Sequence, residues 1–286
     1  MTKIKPTEKI KKFLLVLAVA GILGSSVYLA YDLVLIPYSV KKQSQTFSSS
    51  TQSNSSCETT SDIQGKYAEI KNHYEDFAGN LVIKGLEIDF PVVQGDDNSY
   101  YLNHTIDGKE DKHGTLFADY RNNLVDLNDN TIIYGHNMLD GTQFGMLSMY
   151  RKLSTYQACP VITFNTIHKE YKWKVFAAFL INTRPQHDNG YVFNYLRTDF
   201  ASEDEFRNFY DEVMERSYFI TDVDVTPEDK ILTLSTCSLL LDDSRFVVMA
   251  RLVRNGESAE TDISAARENI NQRFPEAWYD ENNRPY

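Results

Sequence analysis

Two apolar, β-branched runs near residue 240 constrain the fold more than any other part of the sequence. The first is ILTLSTCSL, residues 231–239, and the second is SRFVVMARLVR, residues 244–254. Both have the composition of strands, and the short acidic loop between them predicts a β-hairpin. Such a hairpin places the thiol of Cys237 within side-chain reach of the guanidinium of Arg245. A fixed positive charge favours the thiolate, which is the form of cysteine that attacks carbonyl carbon.

A cysteine nucleophile needs a proton partner, and His136 is the best placed of the six histidines. It follows a short β-branched run, TIIY, and precedes a loop marked by Gly141 and Gly145. Catalytic side chains are commonly presented where a strand ends in such a loop. The other histidines lie in more polar, turn-like stretches that are typical of surface or structural positions.

Cys237 and Arg245 also have interpretations without chemistry. Cys237 fits a buried strand cysteine, the usual fate of an unpaired cysteine in an apolar run. Arg245 fits an ordinary arginine at a strand end. Pairing with Asp242 or Asp243 would lower its usefulness to an oxyanion. The residues alone leave these alternatives open.

Three segments in chain order resemble sortases, the membrane-anchored cysteine transpeptidases of Gram-positive cell surfaces. They are YGHN at 134–137, TLSTC at 233–237 and RFVVMARL at 245–252. Two upstream segments, GLEIDFPVVQGDDNSYYLNH and GTLFADYR, are similar to the opening strands of the family. The resemblance extends over about Leu81 to Arg254. The sequence RFVV and a predicted helix before the TLSTC strand resemble the corresponding segments of class B members.

The resemblance implies that Cys237 is the nucleophile, His136 the general acid and base, and Arg245 the group that stabilises the oxyanion and the substrate. It also implies that the attacked carbonyl belongs to the threonine of a C-terminal sorting motif in secreted surface proteins. In class B this motif is NPxTN-like. The acceptor is then the amine of a peptidoglycan precursor. A pilin lysine is the alternative acceptor, in a pilus-building enzyme. The loop from Thr183 to Leu196 is expected to help select the peptide.

Many short strands separated by turns predict a mainly β fold, an antiparallel barrel with peripheral helices, and the sortase resemblance implies the same barrel. Apolar residues at helical spacing predict the helices. Ser202 and Glu205 form a capping box at the start of the clearest one. The predicted helices cover 64–77, 144–159, Ser202 to Arg216, and a terminal stretch from Ile263 to Phe274.

The N-terminal part of the chain predicts a membrane anchor. Five lysines lie within residues 1–12, and the run from Phe13 to Tyr31 carries no charge. As a helix this run spans about 28 Å, close to the thickness of a bilayer core. Residues 13–38 are therefore expected to be a single-pass transmembrane helix in contact with lipid, retained rather than cleaved as a signal peptide. The basic residues 1–12 then form a cytoplasmic tail, and the rest of the chain is extracellular.

Residues 39–62 are rich in serine, threonine and glutamine, which predicts a flexible stalk, and residues 63–286 form the predicted catalytic domain. Cys57 lies in the stalk, where it lacks the held geometry that catalysis needs. Cys159 precedes Pro160 and is interpreted as a structural residue. We do not expect these two cysteines to form a disulfide.

Two functions of other classes remain open. A cell-wall cysteine amidase or endopeptidase would share the cysteine and histidine but release its product to water, although most such folds place the cysteine before the histidine. A non-catalytic surface-binding module on a stalk is the other. The net charge of −11 argues against nucleic acid as a partner. Cysteine and histidine do not cluster with ligand spacing, so neither a metal nor another cofactor is expected.

Overall fold

The computed structural model describes residues 60–282 and residue 284. The predicted cytoplasmic tail, the anchor at 13–38 and most of the predicted stalk lie outside the described residues. None of the helices within the described ranges has the length and hydrophobicity that a membrane crossing requires. The first of them, α1 (Thr60–His73), begins within the last residues of the predicted stalk.

Within the described ranges the chain is mainly β, as predicted. The strands are β1 (Phe77–Ile83), β2 (Ile88–Val93), β3 (Leu116–Ala118), β4 (Asn130–Tyr134), β5 (Val161–Thr166), β6 (Lys172–Asn182), β7 (Phe219–Ile220), β8 (Ile231–Cys237), β9 (Ser244–Leu252) and β10 (Arg267–Glu268). The further α-helices are α2 (Leu153–Ala158), α3 (Glu203–Arg216) and α4 (Glu276–Glu281).

Eight of the described strands close into a barrel in the order β1-β2-β3-β4-β8-β9-β6-β5. The β2–β3 and β4–β8 pairs are parallel, and the other neighbours are antiparallel. The predicted β-barrel is therefore confirmed. β8 lies between β4 and β9 in this order. His136 follows the end of β4, and Arg245 lies near the start of β9.

β6 and α3 show why a continuous apolar run can form a barrel strand. Every residue of β6 after Lys172 is buried. One face points into the barrel and the other is covered by α3, whose Phe206, Phe209 and Val213 pack with Phe176 in one cluster. A strand that is buried on both faces has a continuous apolar run instead of alternation.

The predicted capping of α3 is confirmed. The hydroxyl of Ser202 accepts a hydrogen bond from the backbone N–H of Glu205 at 3.2 Å. The Glu205 carboxylate accepts in turn from the N–H of Ala201 at 2.6 Å. The first bond satisfies an N–H group that the first turn of a helix leaves without a partner, and the second fixes the chain just before the helix begins.

The prediction of a terminal helix over residues 263–274 was wrong. Arg267 and Glu268 form β10 and pair with β7, and Ile270 is 90% exposed. The side-chain amide of Asn269 donates to the carbonyls of Met214 and Ser217 at the end of α3. These long-range bonds satisfy backbone groups of another element, so they outweigh the weak helical spacing of the tail.

The first two helix predictions need smaller corrections. α1 ends at His73, and Phe77, which was assigned to the same helix, begins β1 instead. Between residues 144 and 159 the chain forms a 3₁₀ turn, Leu147–Arg151, and then α2. Lys152 has an extended backbone between the two, which divides the predicted helix.

Candidate active site

A cleft of 610 Å³ opens at one end of the barrel. It is lined by residues from the C-terminal ends of β4, β6 and β8 and from the start of β9. Cys237, His136 and Arg245 all line it, although they come from different elements. The structure thus brings together all three residues that the sequence predicted for catalysis.

Cys237 is the last residue of β8 and is exposed, whereas the residues before it in the strand are buried. Arg245 of β9 lies directly opposite it in the antiparallel ladder. Side chains of directly opposed residues point to the same face, with Cβ atoms about 4.5–5.5 Å apart. The predicted hairpin is confirmed, and it places the side chains of Cys237 and Arg245 on the same face of the sheet. The alternative of a buried strand cysteine is wrong.

His136 lies level with Cys237 because β4 and β8 are parallel. Tyr134 is paired with Ser235 in this ladder, and His136 and Cys237 each follow two residues later. The ring Nε2 of His136 is 2.7 Å from the carbonyl oxygen of Leu102. A carbonyl oxygen only accepts, so Nε2 donates this bond and Nδ1 of the neutral ring is the acceptor. The histidine is therefore held in one tautomer at the cleft.

The segment around His136 is attached to the nucleophile strand. The amide of Asn137 donates to the carbonyl of Cys237 at 2.9 Å, and the N–H of Phe144 donates to the carbonyl of His136 at 2.9 Å. Gly135 is required because a Cβ at this position would collide with the ring of Phe144. These contacts hold the histidine and cysteine segments in one fixed relation.

The acidic neighbours of Arg245 do not neutralise it. The carboxylate of Asp243 pairs with Arg184 at 2.5 Å. The guanidinium of Arg245 donates to the carbonyl of Ser244 at 3.0 Å. Among the described residues it has no carboxylate within ion-pair distance, so the alternative in which Asp242 or Asp243 occupies it is wrong.

The loop that follows β6 forms one wall of the cleft. Thr183 and the stretch 192–196 line it, which is where the predicted selectivity loop lies. Within that stretch, the hydroxyl of Tyr195 is 2.9 Å from the hydroxyl of Ser235. Burial raises the pKa of Tyr195, so its phenol stays neutral at physiological pH.

Among the cleft residues to which sequence reasoning assigned no role are Asn98, Leu102 and Tyr134. Asn98 and Leu102 belong to the polar segment GDDNSYYLNH, where composition indicates only a turn. Tyr134 directly precedes the Gly-His pair, and its position at the end of β4 is the signal that would have found it.

The structure gives no catalytic position to Cys159. It is buried and free, and burial raises the pKa of its thiol. Cys57 lies outside the described residues. Within the described ranges, no group of three or more histidine, cysteine, aspartate or glutamate side chains is arranged to hold a metal ion.

Comparisons with known proteins agree with this geometry. The profile of the sortase domain family matches residues 81–253, more than half of the chain. The chain belongs to the sortase family. The matched range confirms the extent predicted from the sequence motifs, and the enzyme is a sortase-type cysteine transpeptidase.

The relatives of this sortase are class B enzymes, as the resemblance predicted. Sortase B of Staphylococcus aureus is 34% identical over 194 residues, which are 67% of this chain and 76% of that protein. Sortase B of Listeria monocytogenes is 32% identical over 194 residues, with the same coverage of both chains. A solved Staphylococcus aureus sortase B–substrate complex superposes with a TM-score of 0.67 and 31% identity, covering 77% of this chain and 97% of that one. Sortase B from Clostridium perfringens superposes with a TM-score of 0.60 and 29% identity, covering 65% of this chain and 99% of that one.

Proposed function

We propose that this sortase is a membrane-anchored transpeptidase that cleaves a C-terminal sorting motif of secreted surface proteins and transfers the acyl group to a cell-wall peptide amine. The observation that supports this best is the exposed thiol of Cys237 at the end of β8, opposite Arg245 and level with His136, in one cleft. The rest of the mechanism follows from the position of these three groups.

The first step is the attack of Cys237 Sγ on a backbone carbonyl carbon of the bound peptide. A bond forms between sulfur and carbon, and the carbonyl electrons move to the oxygen, giving a tetrahedral oxyanion. Arg245, which is opposite Cys237 in the ladder, stabilises this charge together with a backbone N–H. Donors of this kind typically contribute about 10²–10³ in rate each.

The second step breaks the carbon–nitrogen bond of the peptide. His136 takes the thiol proton on Nδ1 as Cys237 attacks and gives it to the departing amine, while the oxyanion collapses to a thioester on Cys237. His136 then takes a proton from the incoming amine, which attacks the thioester; the carbon–sulfur bond breaks, an amide bond is restored, and the proton returns to the sulfur of Cys237. One group thus acts as both base and acid, and the peptide bond is exchanged instead of hydrolysed.

The donor and the acceptor are both peptides in this proposal. A similar solved structure is a sortase B–substrate complex, and another is a sortase B complexed with triglycine. The cleft wall from 192 to 196 and the half-buried Arg245 suit an extended peptide whose scissile carbonyl lies at Cys237. The predicted anchor at residues 13–38 would confine the enzyme to the outer membrane surface, where substrate and acceptor are concentrated.

The test uses the full-length chain purified in detergent. It is incubated with a panel of NPxTN-like peptides, each with no acceptor, with a short glycine peptide or with a peptide that offers only a lysine ε-amine. Products are read by mass, and Cys237→Ala is the control. The proposal predicts cleavage between threonine and the next residue, with an amide-exchanged product that the control lacks.

The acceptor arms distinguish the neighbouring functions. Exchange onto the glycine amine supports wall anchoring, and exchange onto the lysine ε-amine alone supports pilus polymerisation. Cleavage that yields only the free acid with every acceptor would replace the transpeptidase by a hydrolase. No cleavage of any peptide would contradict the proposal and favour a binding module.

A further inference from the structure

Asp119 directly follows β3, and its carboxylate is completely buried. It accepts hydrogen bonds from the backbone N–H of Arg121 at 3.0 Å and from Nε and Nη2 of the same arginine, both at 2.8 Å. Burial raises the pKa of Asp119, but the bonds from Arg121 outweigh it and leave the pKa below its usual value. The carboxylate is therefore ionised at neutral pH and paired with one guanidinium.

Two side chains of the cleft are bonded to this buried carboxylate. The amide of Asn98 donates to Asp119 Oδ2 at 3.0 Å, and the hydroxyl of Tyr134 donates to the same oxygen at 2.8 Å. The amide oxygen of Asn98 accepts from the N–H of Tyr120 at 3.1 Å, so both ends of the amide are fixed. Asn98 and Tyr134 line the cleft, whereas Asp119 does not.

Arg121 extends the same set of bonds to the cleft wall formed by the loop that follows β6. Its Nη2 also donates to the carbonyl of Leu196 at 3.1 Å. Leu196 belongs to the wall formed by the loop after β6. One ion pair with a buried carboxylate thus holds residues from the segment after β2, from β4 and from the loop after β6.

We infer that Asp119 and Arg121 are positioning residues that set the shape of the donor-peptide cleft without touching the reacting atoms. The inference rests on the proposed function, because the cleft is taken to bind the donor peptide. None of the bonds described for this pair reaches Cys237 or Arg245. Its loss should therefore impair peptide binding more than the reactivity of the thiol.

Asp119→Asn is the direct test, because asparagine keeps the size but loses the charge and presents an N–H₂ group where an acceptor is needed. In the full-length enzyme we expect KM for the sorting peptide to rise about tenfold, since charge-assisted hydrogen bonds that order the cleft are lost. The rate at which a small methanethiosulfonate reagent modifies Cys237 should not change. Asp126→Asn is the matched control, because Asp126 is exposed and its substitution by asparagine removes the same charge.

Arg121→Lys is the second variant, and it tests the inference if Asp119→Asn does not fold. Arg121 is partly exposed, with a side-chain exposure of 41%, and lysine keeps the charge but not the two-pronged bond or the reach to Leu196. A rise in KM over the wild type with kcat unchanged is expected, smaller than the rise for Asp119→Asn where that variant folds. A fall in kcat with KM unchanged in both variants would overturn the inference.

Hydrogen exchange gives a readout that does not need turnover. In Asp119→Asn, amides in 96–102 and 192–198 should exchange faster than in Asp126→Asn, while those of β8 exchange at the wild-type rate. Exchange that rises throughout the barrel, or in neither segment, would overturn the inference. If the wild-type chain transfers no peptide, the proposed function fails, and this pattern still decides the positioning role.

Discussion

Substituting Glu257 by glutamine is expected to destabilise the end of the barrel opposite the active-site cleft. The Glu257 carboxylate accepts from Nη1 and Nη2 of Arg251 at 2.6 and 2.7 Å. It also accepts from Lys174 Nζ at 2.6 Å and from the N–H of Arg254 at 2.9 Å. One carboxylate thus joins the end of β9, the start of β6 and the turn that follows β9.

The magnitude follows from burial. The side chain of Arg251 is 1% exposed and that of Lys174 is 9% exposed, so glutamine would leave two buried cations short of negative charge. Breaking a buried pair by removing one partner costs about 3–5 kcal/mol. The Glu257 side chain is 25% exposed, which admits solvent and favours the lower end, about 3 kcal/mol. At about 2–4 °C per kcal/mol for a domain of this size, the melting temperature should fall by about 6–12 °C.

Thermal unfolding of the full-length chain, followed by tryptophan fluorescence, measures this fall, because Trp173 is fully buried next to Lys174. Glu260→Gln is the control, since Glu260 is exposed and its substitution makes the same change in charge. The hydrogen bonds from Arg251, followed by that from Lys174, lower the pKa of Glu257. A carboxylate whose pKa is lower in the folded state stabilises the fold at pH values above its pKa in the unfolded chain. The difference in melting temperature between wild type and Glu257→Gln should therefore narrow as the pH falls below about 4.3.

Two results would contradict a stabilising role of Glu257. The first is a melting temperature for Glu257→Gln that is no lower than that of Glu260→Gln at neutral pH. The second is a gap that widens as the pH falls, because this would give the carboxylate the opposite sign of linkage. Either result would mean that the buried cations are satisfied without Glu257.

Three further predictions concern the cleft. Arg245→Lys keeps the charge but loses the planar guanidinium, so kcat for peptide cleavage should fall about 10²-fold or more, and an unchanged kcat would remove Arg245 from the mechanism. His136→Gln should lower kcat by about 10²–10⁴-fold, and a pH–rate profile that keeps its wild-type shape in this variant would assign the proton transfers to another group. Iodoacetamide should alkylate Cys237 before Cys159, because burial shields Cys159 and raises the pKa of its thiol; peptide mapping that finds Cys159 modified first would contradict the geometry.

The parts of the site that could be predicted from the sequence are those that depend on local pattern. Cys237 and Arg245 lie on two strands joined by a short loop, so their opposition follows from strand periodicity and a hairpin connection. The start of α3 was also predictable, because capping by Ser202 depends only on residues within one turn.

The parts that could not be predicted depend on contacts between distant residues. Asn98 and Asp119 are 21 positions apart, and Arg121 and Leu196 are 75 positions apart. Periodicity carries no information about such pairs, because they meet only when the barrel closes. The helix prediction for residues 263–274 failed for the same reason. The pairing of β10 with β7 and the bonds of Asn269 are long-range, whereas the spacing that predicted a helix was local.

In the proposed mechanism Cys237 carries the acyl group during transfer. The most direct measurement is the mass of the intact full-length enzyme, quenched in acid while it turns over a sorting peptide without acceptor. We expect a mass increase equal to the acyl fragment, located on Cys237 by digestion, lost on addition of a glycine peptide and absent from Cys237→Ala. An enzyme that forms the exchanged product with no adduct at Cys237, or with Cys237 replaced by alanine, would contradict it.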